Sequence, residues 1–177
     1  DLLGQHYLHI PASPSLESVR SLLKQADLVI ALGTEMGQTD YDMYEDGLFP
    51  NLKNLVRVDI DKDQLKKSPA RTKNVELDVN KFCGLILRHI KPRQNNDSKS
   101  IVKICKNSAK LEIPKHYEAC NILISTIVKI FPDAIMVGDS TQPTYCGHLF
   151  CEITNDNRWF NSATGFGTLG YAAPASI

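Results

Sequence analysis

The sequence has no excess of charge of either sign. Its 177 residues include 20 Lys and Arg and 20 Asp and Glu, so the formal net charge is zero. Proteins dedicated to nucleic acids normally carry a basic excess that neutralises phosphates, and membrane-surface anchors carry clusters of Lys and Arg. The balance therefore argues against a nucleic-acid partner and against a polybasic membrane anchor.

Long apolar runs and paired metal or disulfide motifs are also lacking. No stretch approaches the roughly 18 apolar residues that span a bilayer, and the first residues lack the pattern of a signal peptide. The five cysteines are odd in number and show no CxxC spacing, and the histidines show neither HxxxH nor HExxH spacing. We therefore expect reduced thiols, no zinc site and a cytoplasmic protein without a membrane partner.

The composition that remains is that of a globular protein. Hydrophobic residues make up 42% and charged residues 23% of the sequence, which is ordinary usage for soluble domains. A chain of this length forms one large domain or two small ones, taking about 100–200 residues per domain. It lacks an initiator Met and stops in an apolar stretch, so we expect a piece of a longer polypeptide.

Apolar periodicity in the first half predicts an α/β layer with a largely parallel sheet. A helix is expected over 16–26, with Ser13 or Ser15 as its cap, and a second amphipathic helix over 79–90. Short apolar strands are expected between them, at 27–31, 55–60 and 74–77.

A polar stretch divides this half from the next. Residues 91–99 contain no apolar side chain, and a polar helix or loop follows over 100–113, so the predicted domains are 1–90 and 114–177 with a linker at 91–113. In the second half we predict, in order, a helix over 114–130, a strand at 134–137, a helix over 143–150, a strand at 158–161 and a helix from Tyr171.

Two strand-to-helix junctions in the second half are the strongest functional signal. They lie at 138–142 and 165–170, and ligands of α/β sheets bind outside the carboxyl ends of strands. Glycines at 165, 167 and 170 let a backbone approach a ligand closely. A tight turn against a neighbouring helix would explain the same three glycines without any ligand.

These junctions resemble the start of the diphosphate-binding domain of thiamine-diphosphate-dependent enzymes. The resemblance is to the acetolactate synthase and 2-oxo acid decarboxylase family, and it rests on Asp139-Ser140-Thr141-Gln142-Pro143 and on the segment GFGTLGYAAPA at 165–175. Residues 16–90 resemble the later part of the family's Rossmann-like central domain, with ADLVIALGT at 26–34 and VRVDID at 56–61. Short pieces, including Gly33-Thr34-Glu35 and Thr141-Gln142-Pro143, are most similar to decarboxylases of 5-guanidino-2-oxopentanoate.

The resemblance implies a set of cofactor contacts. The cofactor-binding residues it assigns are Gln142, Gly165, Gly167, Thr168 and Leu169. In the family, the carbonyl at the position of Gly167 receives the cofactor's 4′-amino group, and the side chain at the position of Leu169 wedges under the cofactor to keep it bent. The residue after Gln142 is often His in synthases and is Pro143 here, which favours the decarboxylase branch.

The resemblance also implies what this chain lacks. It implies a fragment of an enzyme that decarboxylates a small-molecule 2-oxo acid or transfers the resulting carbanion, using thiamine diphosphate and Mg²⁺ in a homodimeric or homotetrameric parent. The family's metal motif lies beyond Ile177 and its catalytic Glu lies in an N-terminal domain, so no catalytic or metal-binding residue is expected here. Gly138-Asp139-Ser140 imitates that metal motif but precedes the glycine turn, so Asp139 is not assigned to a metal.

Other functional interpretations remain open. Asp59 and Asp61 flank a strand end as ribose-binding carboxylates do, so a non-catalytic FAD- or NAD-binding module is the alternative, as is a purely structural domain. Family members bind FAD in the central domain or bind nothing there, and we expect no FAD in this chain. Three further groups are expected to be solvated or packed rather than functional: the acidic loop (Asp40, Asp42, Glu45, Asp46), two cysteines (Cys146, Cys151) and two aromatics (Trp159, Phe160).

Overall fold

Two parallel sheets organise the chain. The structure is a computed structural model that describes residues 6–37, 51–91, 96–152, 158–161 and 167–177. Helices lie against both sheets, as the α/β prediction requires. Within the described residues, no helix combines the length and the apolar character needed to cross a membrane.

The first sheet has three parallel strands in the order β1-β2-β3. Its elements agree with the predicted pattern to within one or two residues at most ends, because apolar strands and amphipathic helices have distinct periods. They are α1 (Glu17–Gln25), β1 (Val29–Leu32), β2 (Leu55–Asp59), α2 (Lys62–Lys66), β3 (Lys73–Glu76) and α3 (Val79–Leu87).

The second sheet joins two short strands, β4 and β5, which are also parallel. A 3₁₀ turn over Lys115–Tyr117 precedes the helix that was predicted to begin at Pro114. The elements of this half are α4 (Asn96–Leu111), α5 (Glu118–Ile130), β4 (Met136–Gly138), α6 (Gln142–Leu149), β5 (Trp159–Asn161) and α7 (Ala172–Ala175).

The predicted linker at 91–113 contains a packed helix. Helix α4 occupies Asn96–Leu111 and buries Val102, Cys105 and Ala109 on one side, because residues three, four and seven apart share a helix face. Cys105 and Ala109 pack in one core cluster with Leu16, Val19 and Phe150. Residues 92–95 lie outside the described residues, and the domain boundaries themselves stay a prediction.

The cap of α1 differs from the prediction. Neither Ser13 nor Ser15 caps the helix, because the Ser13 hydroxyl accepts hydrogen bonds from the backbone N–H and the hydroxyl of Ser15. Instead, the Ser18 N–H donates to the Glu112 carboxylate at 3.0 Å, across a separation of 94 residues. A carboxylate at a helix N-terminus satisfies an unpaired N–H and complements the helix dipole.

A buried arginine binds the first sheet to its loops. Arg57 lies in β2 and is 1% exposed. Its guanidinium donates to the carbonyls of Gln64 (2.8 Å), Thr34 (2.8 Å) and Glu35 (3.1 Å). Asn74, its register partner on β3, donates to the adjacent Leu65 carbonyl at 2.8 Å. These two side chains therefore bind the end of α2 and the loop after β1 to one face of the sheet.

We predict that Arg57→Met lowers the free energy of unfolding by roughly 2–4 kcal/mol, because three carbonyls lose the hydrogen bonds that the buried guanidinium donates to them. Chemical denaturation of the chain measures the change. Arg88→Met is the matched control, since Arg88 is exposed and substitutions at exposed positions usually change stability by less than about 0.5 kcal/mol. Equal stability of the two variants would contradict the role of Arg57.

Candidate functional site

The candidate site lies where β4 ends. Gly138 is the last residue of β4, Asp139 and Ser140 follow it, and α6 begins at Gln142. The described part of the glycine-rich segment, Gly167–Gly170, lies beside these residues, and Gly170 contacts Asp139 directly. The two predicted junctions therefore meet at the carboxyl edge of the second sheet, where α/β proteins bind ligands.

Asp139 connects the two junctions. One carboxylate oxygen accepts from the Ser140 N–H at 2.9 Å, and the other accepts from Gly170 N–H at 2.8 Å and from Ala172 N–H at 3.5 Å. Burial acts to raise the pKa of Asp139, but the backbone hydrogen bonds from Ser140, Gly170, Ala172 and Tyr171 outweigh it, and the pKa lies below its usual value. Asp139 is therefore a structural anion, and its carboxylate is committed to backbone N–H groups.

Close packing of two glycines positions α6 over the sheet. A Cβ on Gly138 would come within 2.5 Å of the Thr144 hydroxyl, and Thr144 is buried. A Cβ on Gly147 would come within 2.6 Å of Trp159 Cζ2. Helix α6 thus contacts both β4 and β5 at positions where only a hydrogen atom fits.

The structure places the predicted cofactor residues as follows. Gln142 is exposed at the first position of α6, and Gly167, Thr168 and Leu169 are exposed in the turn that follows the undescribed segment. Gly165 lies outside the described residues. Leu169 is 74% exposed, so its large apolar side chain is not part of the protein core.

The local backbone and one orphaned hydroxyl fit a cofactor at this position. Gly167 and Gly170 adopt φ of 59° and 84°, a backbone region that residues other than glycine rarely adopt. The Ser140 hydroxyl is buried without a hydrogen-bond partner and lies 3.6 Å from the point where a Cβ on Gly167 would stand. Exposed backbone, an exposed leucine and an unpartnered hydroxyl together suit a ligand that is part apolar and part polar.

The two carboxylates considered as ribose ligands, Asp59 and Asp61, form structural hydrogen bonds. Asp59 accepts from the Asp61 N–H at 2.9 Å, and Asp61 caps α2 by accepting from Asp63 and Gln64. Over the ranges that the structure describes, no cluster of three or more His, Cys, Asp and Glu side chains could hold a metal ion. The acidic residues at 40–46 lie outside the described residues.

The remaining candidates divide between packing and exposure. All five cysteines are free thiols, as predicted. Cys146 is fully buried, and burial together with the nearby Cys146 and Glu152 raises the pKa of Cys151 to about 11. Trp159 packs against Gly147, but the packing prediction is wrong for Phe160, which is 54% exposed because it lies on the open face of a two-stranded sheet.

Comparison with known proteins agrees with the fold and with the resemblance. The first part of the chain is a Rossmann-like α/β domain, and residues 5–88 match the family model of the thiamine pyrophosphate enzyme central domain. This part of the chain is therefore similar to the central domain of thiamine pyrophosphate enzymes.

Two curated relatives extend the similarity beyond the central domain. The chain is 27% identical over 159 residues to a probable 2-ketoarginine decarboxylase of Pseudomonas aeruginosa, covering 88% of this chain and 28% of that protein. It is 26% identical over 187 residues to the acetolactate synthase large subunit of Corynebacterium glutamicum, covering 97% of this chain and 29% of that protein. The chain therefore spans less than a third of the length of either relative.

We predict opposite effects for two helical Gly→Ala substitutions. Gly147→Ala places a methyl group against Trp159 and should cost about 1–3 kcal/mol of stability through overpacking. Gly84→Ala, in α3, meets open space and should gain up to about 1 kcal/mol from helix propensity. Thermal unfolding of both variants tests the packing of α6, and a stabilising Gly147→Ala would refute it.

Proposed function

We propose that this chain is part of a thiamine-diphosphate-dependent enzyme that acts on a 2-oxo acid, either decarboxylating it or transferring the carbon unit that remains. In this proposal residues 1–90 belong to the central domain and residues 114–177 begin the diphosphate-binding domain. The longer protein would be a homodimer or homotetramer. The proposal is supported by the central-domain match and by the similarity to a decarboxylase and a synthase.

The exposed Leu169 is the structural observation that carries the proposal. Leu169 is 74% exposed and lies two residues after Gly167 and directly before Gly170, both of which have positive φ, so it is not part of the core. It is well explained as a surface that contacts an apolar ring of a ligand. The thiamine part of the cofactor supplies such a ring, and the family places a bulky apolar side chain under it.

Named residues of this chain would hold the cofactor. The Gly167 carbonyl and the Leu169 N–H would contact its pyrimidine ring, the Leu169 side chain would support its bent shape, and Gln142 would lie near the diphosphate with Gly165 and Thr168 alongside. The residues that hold Mg²⁺ would come from outside this chain. When bound, thiamine diphosphate supplies the electron sink for decarboxylation, and the protein contributes orientation and electrostatics.

The same comparisons support the proposed substrate class. The Pseudomonas aeruginosa relative is named for 2-ketoarginine, which is 5-guanidino-2-oxopentanoate. The motifs at 33–35 and 141–143 resemble decarboxylases of that compound, and Pro143 stands where synthases often have His. These features favour decarboxylation of a 2-oxo acid over synthesis of acetolactate.

The alternative of an FAD- or NAD-binding module is less well supported. Its candidate ribose ligands, Asp59 and Asp61, both accept backbone hydrogen bonds that hold the β2–α2 connection. A ribose would have to compete with those contacts. Among the described residues around the first sheet, no specific contact favours a nucleotide over the structural roles of these two carboxylates.

We predict that Leu169→Ala in the longer protein lowers kcat per cofactor-loaded site by about 100-fold, because loss of the support misplaces the cofactor by an ångström or so. Leu169→Met should be nearly neutral, since the two side chains have similar volumes. Steady-state rates, normalised to bound cofactor, measure the effect.

The matched control for this prediction is Leu111→Ala. Leu111 is 88% exposed at the end of α4, far along the chain from the glycine turn. Both alanine variants should keep the melting temperature of the wild type, because both leucines are exposed. A Leu169→Ala variant that is destabilised but keeps its kcat would favour a packing role and count against the proposal.

We also predict that the 177-residue chain alone does not decarboxylate any 2-oxo acid. The proposal places the Mg²⁺ ligands and the activating Glu outside it, and loss of either removes charge stabilisation or proton transfer. Assays of CO₂ release with 2-oxo acids of differing side chains provide the measurement. Turnover by the purified chain that Leu169→Ala abolishes would contradict this prediction, because it would show that the residues of this chain are sufficient for decarboxylation.

A further inference from the structure

The carboxylate of Asp139 joins two segments that are 31 residues apart in sequence. It lies just after β4 and accepts hydrogen bonds from the N–H groups of Gly170 (2.8 Å) and Ala172 (3.5 Å). Its second oxygen accepts from its own neighbour, Ser140, at 2.9 Å. Each oxygen of the carboxylate therefore has a backbone donor, and the two oxygens bind different segments.

The segment that Asp139 binds is intrinsically costly to order. Gly170 has a φ of 84° and Gly167 has a φ of 59°, and glycine loses more conformational freedom on folding than any other residue. The residues of this turn are exposed, so packing contributes little to its position. Hydrogen bonds to an ionised acceptor are about twice as strong as neutral ones. One carboxylate can therefore decide where the turn lies relative to β4.

The position of the turn sets the position of Leu169. Leu169 directly precedes Gly170, whose N–H makes the shorter of the two long-range bonds to Asp139. The Gly167 backbone lies close to Ser140, the residue after Asp139. Movement of Gly170 away from β4 would therefore carry both Leu169 and the Gly167 carbonyl with it.

We propose that Asp139 is a positioning residue of the cofactor site, whose carboxylate holds the Gly167–Gly170 turn against the end of β4 in the geometry that receives the cofactor. The proposal rests on the proposed function, since it concerns the same site. It assigns Asp139 no contact with the metal ion, with the cofactor or with the substrate.

The experiment uses three variants of the longer protein. Asp139→Ala removes both acceptors, and Asp139→Asn keeps one neutral acceptor of the same shape. Asp78→Ala is the matched control, because the Asp78 carboxylate also accepts a backbone N–H, from Lys81 at 3.0 Å, but at the start of α3. Each variant is measured without cofactor by hydrogen exchange of peptides covering 167–173, and then by the Kd for thiamine diphosphate at saturating Mg²⁺.

We expect Asp139→Ala to reduce exchange protection of the turn and to raise the cofactor Kd, each on the order of 10-fold. Asp139→Asn should lie between Asp139→Ala and the wild type, which gives partial rescue. Asp78→Ala should lower the melting temperature, because it removes a helix N-cap, while leaving the exchange of the turn and the Kd unchanged. If Asp139→Ala is too unstable to study, Asp139→Asn alone must show both changes.

Two outcomes would overturn the proposal in different ways. Unchanged exchange at 167–173, or faster exchange with an unchanged Kd, would show that Asp139 does not position the site. Failure of the wild-type protein to bind thiamine diphosphate would refute the proposed function, and the proposal with it. The exchange measurement needs no cofactor, so these failures are distinguishable.

Discussion

Backbone polar groups in the loops after parallel strands have no partner in the strand ladder, and this constraint shapes both sheets of the chain. In the first sheet the donor is Arg57, whose guanidinium binds the carbonyls of Thr34, Glu35 and Gln64. In the second sheet the acceptor is Asp139, whose carboxylate binds N–H groups across the glycine turn. Both residues therefore satisfy backbone groups that the strand ladder leaves unpaired. The positive Arg57 binds carbonyls, and the negative Asp139 binds N–H groups.

Helix α4 joins the two halves of the chain. Glu112, just after α4, satisfies the N-terminus of α1. Lys106 and Lys110 each lie 3.0 Å from Glu152, which follows α6. Burial acts to raise the pKa of Glu152, but the two lysines outweigh it and lower the pKa below its usual value. Apolar packing of Cys105 and Ala109 with residues of both halves lies beneath these polar contacts. The predicted linker at 91–113 therefore contains an amphipathic helix, although its composition is largely polar.

The candidate site combines a firm base with an exposed rim. Gly138 and Gly147 allow α6 to approach β4 and β5 within distances that no side chain tolerates, which fixes the base. Gly167, Leu169 and Gly170 form the rim, where positive φ values and exposure leave backbone groups and an apolar side chain accessible. Such an arrangement can orient a ligand that has both an apolar ring and polar groups, as the proposed thiamine diphosphate has.

The sequence by itself determined most of the strands and helices, and it predicted where a ligand would bind. The apolar strands at 55–59 and 136–138, the amphipathic helix at 79–87 and the turn glycines are local patterns, and local patterns survive folding. They were sufficient to indicate a parallel α/β fold and to predict a ligand-binding edge at 138–142 and 165–170. The match of residues 5–88 to the thiamine pyrophosphate enzyme central domain agrees with that reasoning.

Only the tertiary structure decided which polar residues hold those elements together. Arg57 lies inside a buried strand and Asp139 directly after one, and a charged residue at such a position can be recognised in the sequence. Their hydrogen-bond partners cannot be recognised in this way. Glu112 binds Ser18 across 94 residues, and Asp139 binds Gly170 across 31. Pairings of this kind depend on how helices and sheets pack in three dimensions. Hydrogen-bond chemistry makes a polar residue able to bind, and packing alone selects which of many backbone groups it meets.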